Sequence, residues 1–378
     1  MAAVAQPLAT APVEPVLTLP SRCYTDPAIY AREMETIFRS AWQPFAHGCD
    51  VAAPGDYVAG ELLGQDIVVL RGRDGALRGF HNVCRHRGHR LLRGTGNLKV
   101  AVTCPYHAWS YGLDGRLRAA PNGENVPGFD PSGIALTPVA VEQFCNLVLV
   151  NLDPDAAPFH SLFPGLGTEI LAYAPRMAEL AFSHRSEAEL ACNWKVAVEN
   201  FDECYHCVTA HPTLMTGLLD PGSYRIELFE RHHRHSGGSQ SADSLIYRID
   251  PSISPRAMDF ASWLLWPNVA LQVNPGSNYV VFHFMPLAHD RTLARIDWFF
   301  GPWVGAAERA RIVEQHRATT LAEDVSLVAE VQRGLASRSY DRGVLMVDAV
   351  NPNAGNSEHT VAHLQQIWRS VMGEPAAA

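Results

Sequence analysis

No apolar run in this 378-residue chain approaches the roughly 20 residues that a transmembrane helix needs. Its start, MAAVAQPLATAPVEPVLTLP, lacks a basic stretch followed by a continuous apolar one, so no secretory signal is expected there. Cysteine is sparse. Eight in a chain of this length do not make a disulfide scaffold, and a reducing cytoplasm is the default setting. Positive charge is in deficit. With 30 Lys and Arg against 39 Asp and Glu, the net charge is −9, which argues against a broad nucleic-acid surface. Nucleotide fingerprints are missing. GTGNLK and GLGTEI lack the third glycine and the βαβ context of a dinucleotide site, and no flavin or nicotinamide site is found. There is no internal repeat.

What remains is ample for large cores. Hydrophobic residues make up 47% of the chain, and its length favours two domains. Residues 1–20 are expected to form a mobile, Ala/Pro-rich tail. TDPAIYAREMETIFRSAW predicts a helix, with Thr25 or Asp26 as N-cap and Pro27 at the first turn. From Gly55 to Asp153, short β-rich runs such as QDIVVLRG and NLVLVNLD are separated by the hairpin signals Asp74-Gly75 and Asp114-Gly115. The Pro-rich stretch 153–165 has the composition of a boundary. Beyond it the pattern is α+β: a helix near 195–210, strands near 269–287 and 291–300, and helices near 306–336 and 357–372.

The β region holds HNVCRHRGHRLLRGTGNLKVAVTCPYHAWSYGLDG. Cys84 and His86 form C-x-H, Cys104 and His107 form C-x-x-H, and 17 residues separate the pairs. Two thiolates and two imidazoles suit tetrahedral zinc, or an iron–sulfur cluster with histidine on one iron. Each arm is a cysteine followed by a histidine, so both sulfurs can sit on one iron and both nitrogens on the other. With Pro105-Tyr106 inside the second arm and HAWSYGLDGRL after it, the region resembles the Rieske domain of Rieske-type non-haem iron oxygenases. His81 and His89 are expected to be ordinary loop histidines. Arg85, Arg87 and Arg90 surround the cluster with positive charge or lie in solvent.

A second constellation is ENFDECYHCVTAHP. Cys204 and Cys207 form C-x-x-C, but within an apparently continuous helix they are expected to be packing residues rather than a redox dithiol. His206 and His211 are five residues apart, about 140° around a helix. Both reach one ion only if the helix ends between them, as Pro212 favours. Activating O2 at iron asks for one carboxylate more. In TLAEDVSLVAEVQRGL, Asp324 falls on the apolar stripe Leu321, Val325, Val328, Val331 and Leu335, whereas Glu323 and Glu330 fall outside it. A carboxylate on a buried stripe must be paired, protonated or metal-bound; a carboxylate favoured by the helix dipole is the alternative.

The oxygenase resemblance runs from about Tyr24 to Met372 and implies more. It assigns His206, His211 and Asp324 to a mononuclear Fe(II), because family members carry an ED…VQ pattern similar to Glu323-Asp324 and Val331-Gln332. It assigns Glu203 as the bridge between metal centres, with Asp202 a geometric alternative. Family members that hydroxylate rings carry Asp there, and Glu resembles the branch acting on quaternary ammonium compounds. Glu199 and Asn200 become candidates for supporting the iron ligands. The implied fold is α+β: an antiparallel β Rieske domain with its [2Fe-2S] cluster at 40–155, and a helix-grip catalytic domain formed by 21–39 and 156–375.

The resemblance further implies O2 as co-substrate and electrons from NAD(P)H through a separate flavin/iron–sulfur reductase. It implies a homotrimer or a hexamer in which the cluster of one subunit serves the iron of its neighbour. The expected activity is monooxygenation, by N-demethylation or C–N cleavage, of a small quaternary ammonium or betaine compound. An aromatic acid is the alternative substrate. A Rieske electron carrier without catalysis and a zinc hydrolase are the alternative classes. A cation without N–H donors is best held by aromatic faces, for which Trp263, Trp266, Tyr279, Phe282 and Phe284 are candidates; a plain aromatic core is the other reading. RHHRH (231–235) is expected to be a solvated loop or edge strand.

Overall fold

The computed structural model describes residues 14–211, 220, 222–239, 245–351 and 355–374. It divides into two compact units, Arg39–Phe159 and the remainder. Residues 1–13 of the expected tail, and Pro212, lie outside the described residues. The expectation of a mobile tail is corrected for residues 14–20. Leu17 bridges to Val344, the Leu19 amide donates to Gln365 Oε1 at 2.8 Å, and the Leu19 side chain is fully buried. Its apolar residues Val16 and Leu19 find partners that composition alone did not reveal.

Arg39–Phe159 is antiparallel β. Strands β1 (Gln43–His47), β2 (Asp56–Leu62), β3 (Gln65–Arg71), β4 (Leu77–His81) and β5 (Gly94–Asn97) join β9 (Pro138–Phe144) and β10 (Leu147–Asn151) in one sheet, order β1-β10-β9-β4-β3-β2-β5. A small sheet comprises β6 (Val102–Thr103), β7 (Ser110–Tyr111) and β8 (Leu117–Ala119). Both Asp-Gly pairs make turns, with Gly75 and Gly115 in the left-handed region that glycine tolerates. The continuous apolar run of β3 is buried on both faces. Ile67 and Val69 pack with β1 and β10, whereas Val68 and Leu70 pack with Cys84, Cys104 and Tyr111. Period-two alternation thus builds the floor beneath the cysteines.

The other unit is a seven-stranded antiparallel sheet with helices. The strands are β11 (Ala181–Leu190), β12 (Arg225–Leu228), β13 (His232–Gly238), β14 (Asp259–Leu265), β15 (Val269–Asn274), β16 (Asn278–Ala288) and β17 (Arg291–Phe300). β12 to β17 follow one another as a meander, and β11 closes in beside β17. The strand expected at 269–287 is two strands. Pro275-Gly276-Ser277 turns the chain, and a Cβ on Gly276 would meet the Arg248 carbonyl at 2.7 Å. RHHRH is corrected too. Its last four residues lie on β13, inside the sheet, with His232, His233 and His235 buried.

Its helices include α1 (Pro27–Thr36), α2 (Leu166–Tyr173), α3 (Trp194–Phe201), α4 (Cys207–Ala210), α5 (Ala306–His316), α6 (Ala322–Leu335) and α7 (His359–Met372). Asp26 caps α1, its carboxylate accepting from the Ala28 amide at 2.8 Å. A buried cluster ties α1, α3 and α7 together. Glu33 accepts from Lys195 Nζ, from Trp194 Nε1 at 2.9 Å and from Trp368 Nε1 at 2.6 Å. Between α5 and α6 the helix widens into a π-turn at Arg317–Leu321, a device frequent at functional sites. No helix among the described residues is long and apolar enough to cross a membrane.

Candidate metal centres and the active-site cavity

Two loops of matching geometry carry the first donor set. The Cys84 amide donates to the His89 carbonyl at 2.8 Å and the Gly88 amide to the Cys84 carbonyl at 3.0 Å. The Cys104 amide donates to the Trp109 carbonyl at 2.8 Å and the Ala108 amide to the Cys104 carbonyl at 3.0 Å. Gly88 and Ala108 occupy the same place in each loop with φ of 74° and 56°. Ala108 holds a conformation disfavoured for a residue with a Cβ, as happens at constrained functional loops.

The loops bring the four residues together asymmetrically. Cys84 and Cys104 are free thiols buried in the core, whereas His86 and His107 are exposed, with ring centroids 4.8 Å apart. Among the described residues, no three of these donors fall within 4.8 Å of one another, as ligands of a single tetrahedral zinc would. An inner thiolate end and an outer imidazole end fit a two-iron cluster. Tyr111, overlooked in the sequence, lies beneath. Its hydroxyl is 3.2 Å from Cys84 Sγ and accepts from the Arg85 amide at 2.9 Å. The surrounding arginines differ in setting. Arg90 pairs with Asp66 at 2.7 Å, Arg85 donates to Thr137, and Arg87 lies over the Tyr106 ring. His89 bonds the Arg90 carbonyl.

The second donor set is His206, His211 and Asp324, one ligand atom of each lying within 4.8 Å of the others. His206 Nε2 is 3.1 Å from His211 Nε2, and Asp324 Oδ1 is 3.0 Å from His211 Nε2 and 3.8 Å from His206 Nε2. Ligands about 2.1 Å from one ion and at right angles lie roughly 3 Å apart, so the three fit adjacent positions on one metal. Two imidazoles and a carboxylate are the donor set of non-haem iron(II). Among the described residues one other such group occurs, His47, Cys49 and Asp50, where the Asp50 carboxylate also caps a short turn by accepting from the His47 amide.

Each histidine is oriented from behind. Glu203 Oε1 holds His206 Nδ1, and Glu323 Oε2 holds His211 Nδ1 at 2.7 Å. Both rings are thereby turned so that Nε2 faces the same point. Without a metal, the neighbouring carboxylates of Asp324 and Glu323 hold the His211 imidazole up at about 9. Asn200 Nδ2 donates to Asp324 Oδ1 at 3.0 Å. Glu199 is elsewhere. It accepts from the Tyr24 hydroxyl at 2.8 Å and from Gln365 at 3.1 Å, and burial pushes its carboxyl up to about 7.

Three expectations about this segment change. The helix near 195–210 ends at Phe201, because Asp202 turns its carboxylate onto His233 and His235. Glu203 therefore reaches His206 from a turn, accepting from the His206 amide at 3.3 Å as well, and not across a helical face. Cys204 and Cys207 are joined by a disulfide, with Cα atoms 4.8 Å apart, instead of packing as free thiols; off the helix, the turn brings their Cα atoms within bridging range. The stripe on α6 is also revised. Val331 is half exposed, Gln332 is buried and accepts from the Asn193 amide, and Glu323, excluded from the stripe, touches His211.

These donors open onto a cavity of ≈ 490 Å³, a size suited to a small ligand. The sheet register decides which aromatics face it. Phe282 and Phe284 on β16 line it beside Ile296 and Ala294, their partners on β17. Ser262, Gln272 and His235 form a second paired row on the same face. Trp263 and Trp266 are corrected as candidates. Trp263 has the opposite parity and is buried against Tyr173, donating to Glu169, while Trp266 packs on Trp194. Tyr279 packs on Phe299. Phe201, passed over in the sequence, completes an aromatic cluster, with ring centroids 4.9 Å from Phe282 and 5.4 Å from Phe284.

Comparison with known proteins assigns both regions of the chain to families. Residues 41–130 match the Rieske [2Fe-2S] domain family, and residues 177–374 match the ring hydroxylating alpha subunit (catalytic domain) family. The carnitine monooxygenase oxygenase subunit of Escherichia coli K12 is 37% identical over 361 residues, covering 94% of this chain and 93% of that protein. The chloroplastic choline monooxygenase of Beta vulgaris is 31% identical over 345 residues, covering 88% and 74%. A solved quaternary ammonium Rieske monooxygenase, described with insights into carnitine oxidation and inter-subunit electron transfer, superposes with a TM-score of 0.84 at 32% identity over 98% and 100% of the two chains. Cysteines buried beneath exposed histidines, a two-histidine, one-carboxylate cavity and these matches lead to one conclusion: the chain belongs to the Rieske non-haem iron oxygenases, as an oxidoreductase subunit of the ring-hydroxylating alpha type.

Proposed function

We propose that this chain monooxygenates a small quaternary ammonium compound, using O2 and electrons delivered from NAD(P)H by a separate flavin/iron–sulfur reductase. In this reading Cys84, His86, Cys104 and His107 hold the [2Fe-2S] cluster, and His206, His211 and Asp324 hold Fe(II). Residues 40–155 form the Rieske domain, and 21–39 with 156–375 form the catalytic domain. The subunits assemble as a homotrimer in the cytoplasm, and His107 of one chain meets Glu203 of the next. The inter-subunit electron transfer described for the solved relative supports that arrangement.

The observation that carries the substrate class is the cavity wall. Phe201, Phe282 and Phe284 line it as one aromatic cluster, and no Lys or Arg lines the cavity among the described residues. Aromatic faces with no competing cationic side chain favour a cation that has no N–H to donate. An aromatic acid would bring a net negative charge with no cationic side chain to balance it, an expensive burial, whereas a betaine carries its own cation. The tail of a betaine would instead meet neutral groups, among them Ser262, Gln272 and Gln315.

When bound, the cluster supplies electrons singly and the iron supplies the centre for O2 chemistry. The chain's own part is positioning. Glu203 and Glu323 fix the imidazole rings, Asn200 steadies Asp324, and the phenylalanines hold the N-methyl groups toward the donors while excluding water. Hydroxylation of an N-methyl group gives a hemiaminal that releases formaldehyde and the tertiary amine. Substrate-dependent oxygen uptake with a reductase, over a panel of choline-like, betaine-like and aromatic-acid compounds, tests the reading. Uptake coupled to formaldehyde or an aldehyde from the quaternary amines is expected. Coupled uptake with the aromatic acids alone contradicts it.

A further inference from the structure

We propose that His363, His233, Asp202, His235 and Tyr224 form a proton relay from the surface to the active-site cavity, an inference that rests on the oxygenase reading above. The links are continuous. His363 Nδ1 is 2.7 Å from His233 Nε2, and His233 Nδ1 is 2.5 Å from Asp202 Oδ2. Asp202 Oδ1 is 3.1 Å from His235 Nε2, and His235 Nδ1 is 2.7 Å from the Tyr224 hydroxyl. Every contact is within hydrogen-bond range.

The ends differ from the middle. Asp202 and His233 are buried, while His363 on α7 is partly exposed. Tyr224 and His235 line the cavity that also holds His206 and Asp324. Both ring nitrogens of His233 and of His235, and both oxygens of Asp202, are used in line. A network that only rigidified the core would have no need to run from solvent to the cavity through groups whose two polar atoms face successive neighbours.

The reaction needs such a supply. Each C–H bond hydroxylated consumes one O2, two electrons from the reductase and two protons. One oxygen atom enters the C–H bond and the other leaves as water. Along the relay, His363 takes a proton from water at Nε2 and gives its Nδ1 proton to His233. With His235 in its Nδ1–H tautomer, the His233 Nδ1 proton passes to the Asp202 carboxylate and from there to His235 Nε2. The His235 Nδ1 proton passes to Tyr224, and the phenol releases its own into the cavity. The net effect is one proton moved inward per passage, with no change in charge along the wire.

The test uses the metal-loaded protein and three variants: His363→Gln, His363→Gly and Tyr224→Phe. Steady-state turnover should fall by ~10-fold or more, in the range of a lost general acid, with substrate KM and iron content unchanged and a larger solvent deuterium isotope effect on kcat. Imidazole should restore His363→Gly. A second readout is independent of turnover. The low-field imidazole N–H resonances of the oxidised holoenzyme should exchange with solvent at least several-fold more slowly in His363→Gln than in the wild type. Unchanged kcat, isotope effect and N–H exchange in the variants would overturn the relay, as would lost activity that imidazole fails to restore. A wild type that consumes no oxygen with substrate and reductase sinks the oxygenase reading instead, and the N–H exchange still decides the relay.

Discussion

The Glu323 carboxylate holds His211 Nδ1 at 2.7 Å and so turns His211 Nε2 toward Asp324, 3.0 Å away. Removing such a support typically costs 10–100-fold in metal affinity or activity. Glu323→Ala is therefore expected to lose mononuclear iron on dialysis against a chelator at least ~10-fold faster than the wild type, with the cluster's absorption intact. Equal iron retention would mean that His211 is held by something other than Glu323.

Glu203 sits behind the other imidazole, and its replacement should act differently. Glu203→Gln retains an oxygen for His206 Nδ1 but removes the negative charge. Iron and sulfide should stay at wild-type levels while product formation falls by roughly 10–100-fold. Normal turnover with full metal content would refute its role as the bridge between centres.

Tyr111 is placed to tune the cluster, its hydroxyl 3.2 Å from Cys84 Sγ. A hydrogen bond to a charged acceptor contributes about 1.5–3 kcal/mol, and for a one-electron couple each tenfold in equilibrium is ~59 mV. Tyr111→Phe should lower the reduction potential by roughly 65–130 mV, because the donated bond favours the more negative state. Protein-film voltammetry reads this directly, and an unchanged potential would remove the tyrosine from the account.

Phe282 stands in the cavity wall against Phe201. Cation–π contacts are worth about 0.5–2 kcal/mol. Phe282→Leu keeps an apolar side chain but loses the π face, so KM for a trimethylammonium substrate should rise about 2- to 30-fold. Binding of a neutral tert-butyl analogue should change less. Equal losses for both would point to simple packing.

Glu33 tests the scaffold. It is fully buried and accepts from Lys195 and from the indoles of Trp194 and Trp368. Glu33→Ala leaves a buried ammonium with no carboxylate, at a cost of ~3–5 kcal/mol. Thermal unfolding should show a clearly lowered melting temperature, whereas a loss below ~1 kcal/mol would mean that the rings around Lys195 hold it unaided.

What was legible in the sequence follows from how local each feature is. The spacing of Cys84, His86, Cys104 and His107 shows on the chain because each pair lies within one tight loop. Asp26 as a cap and the Asp-Gly turns are equally local. Long-range registers are not. Trp263 and Phe282 look alike in sequence, and only strand pairing puts one against Tyr173 and the other in the cavity. The buried His233 and His235 looked solvated because their partner, Asp202, is some 30 residues earlier. Glu323 falls outside the apolar stripe because a stripe marks what faces the core, not what reaches across to His211.

Metal and sulfide analysis of the purified protein, paired with His211→Ala, addresses the central claim most directly. The wild type should carry acid-labile sulfide with the two irons of a [2Fe-2S] cluster, plus a further iron that His211→Ala loses while the sulfide stays constant. Zinc in place of iron, or sulfide that disappears together with His211, would contradict a chain that joins a two-iron cluster to a separate iron site.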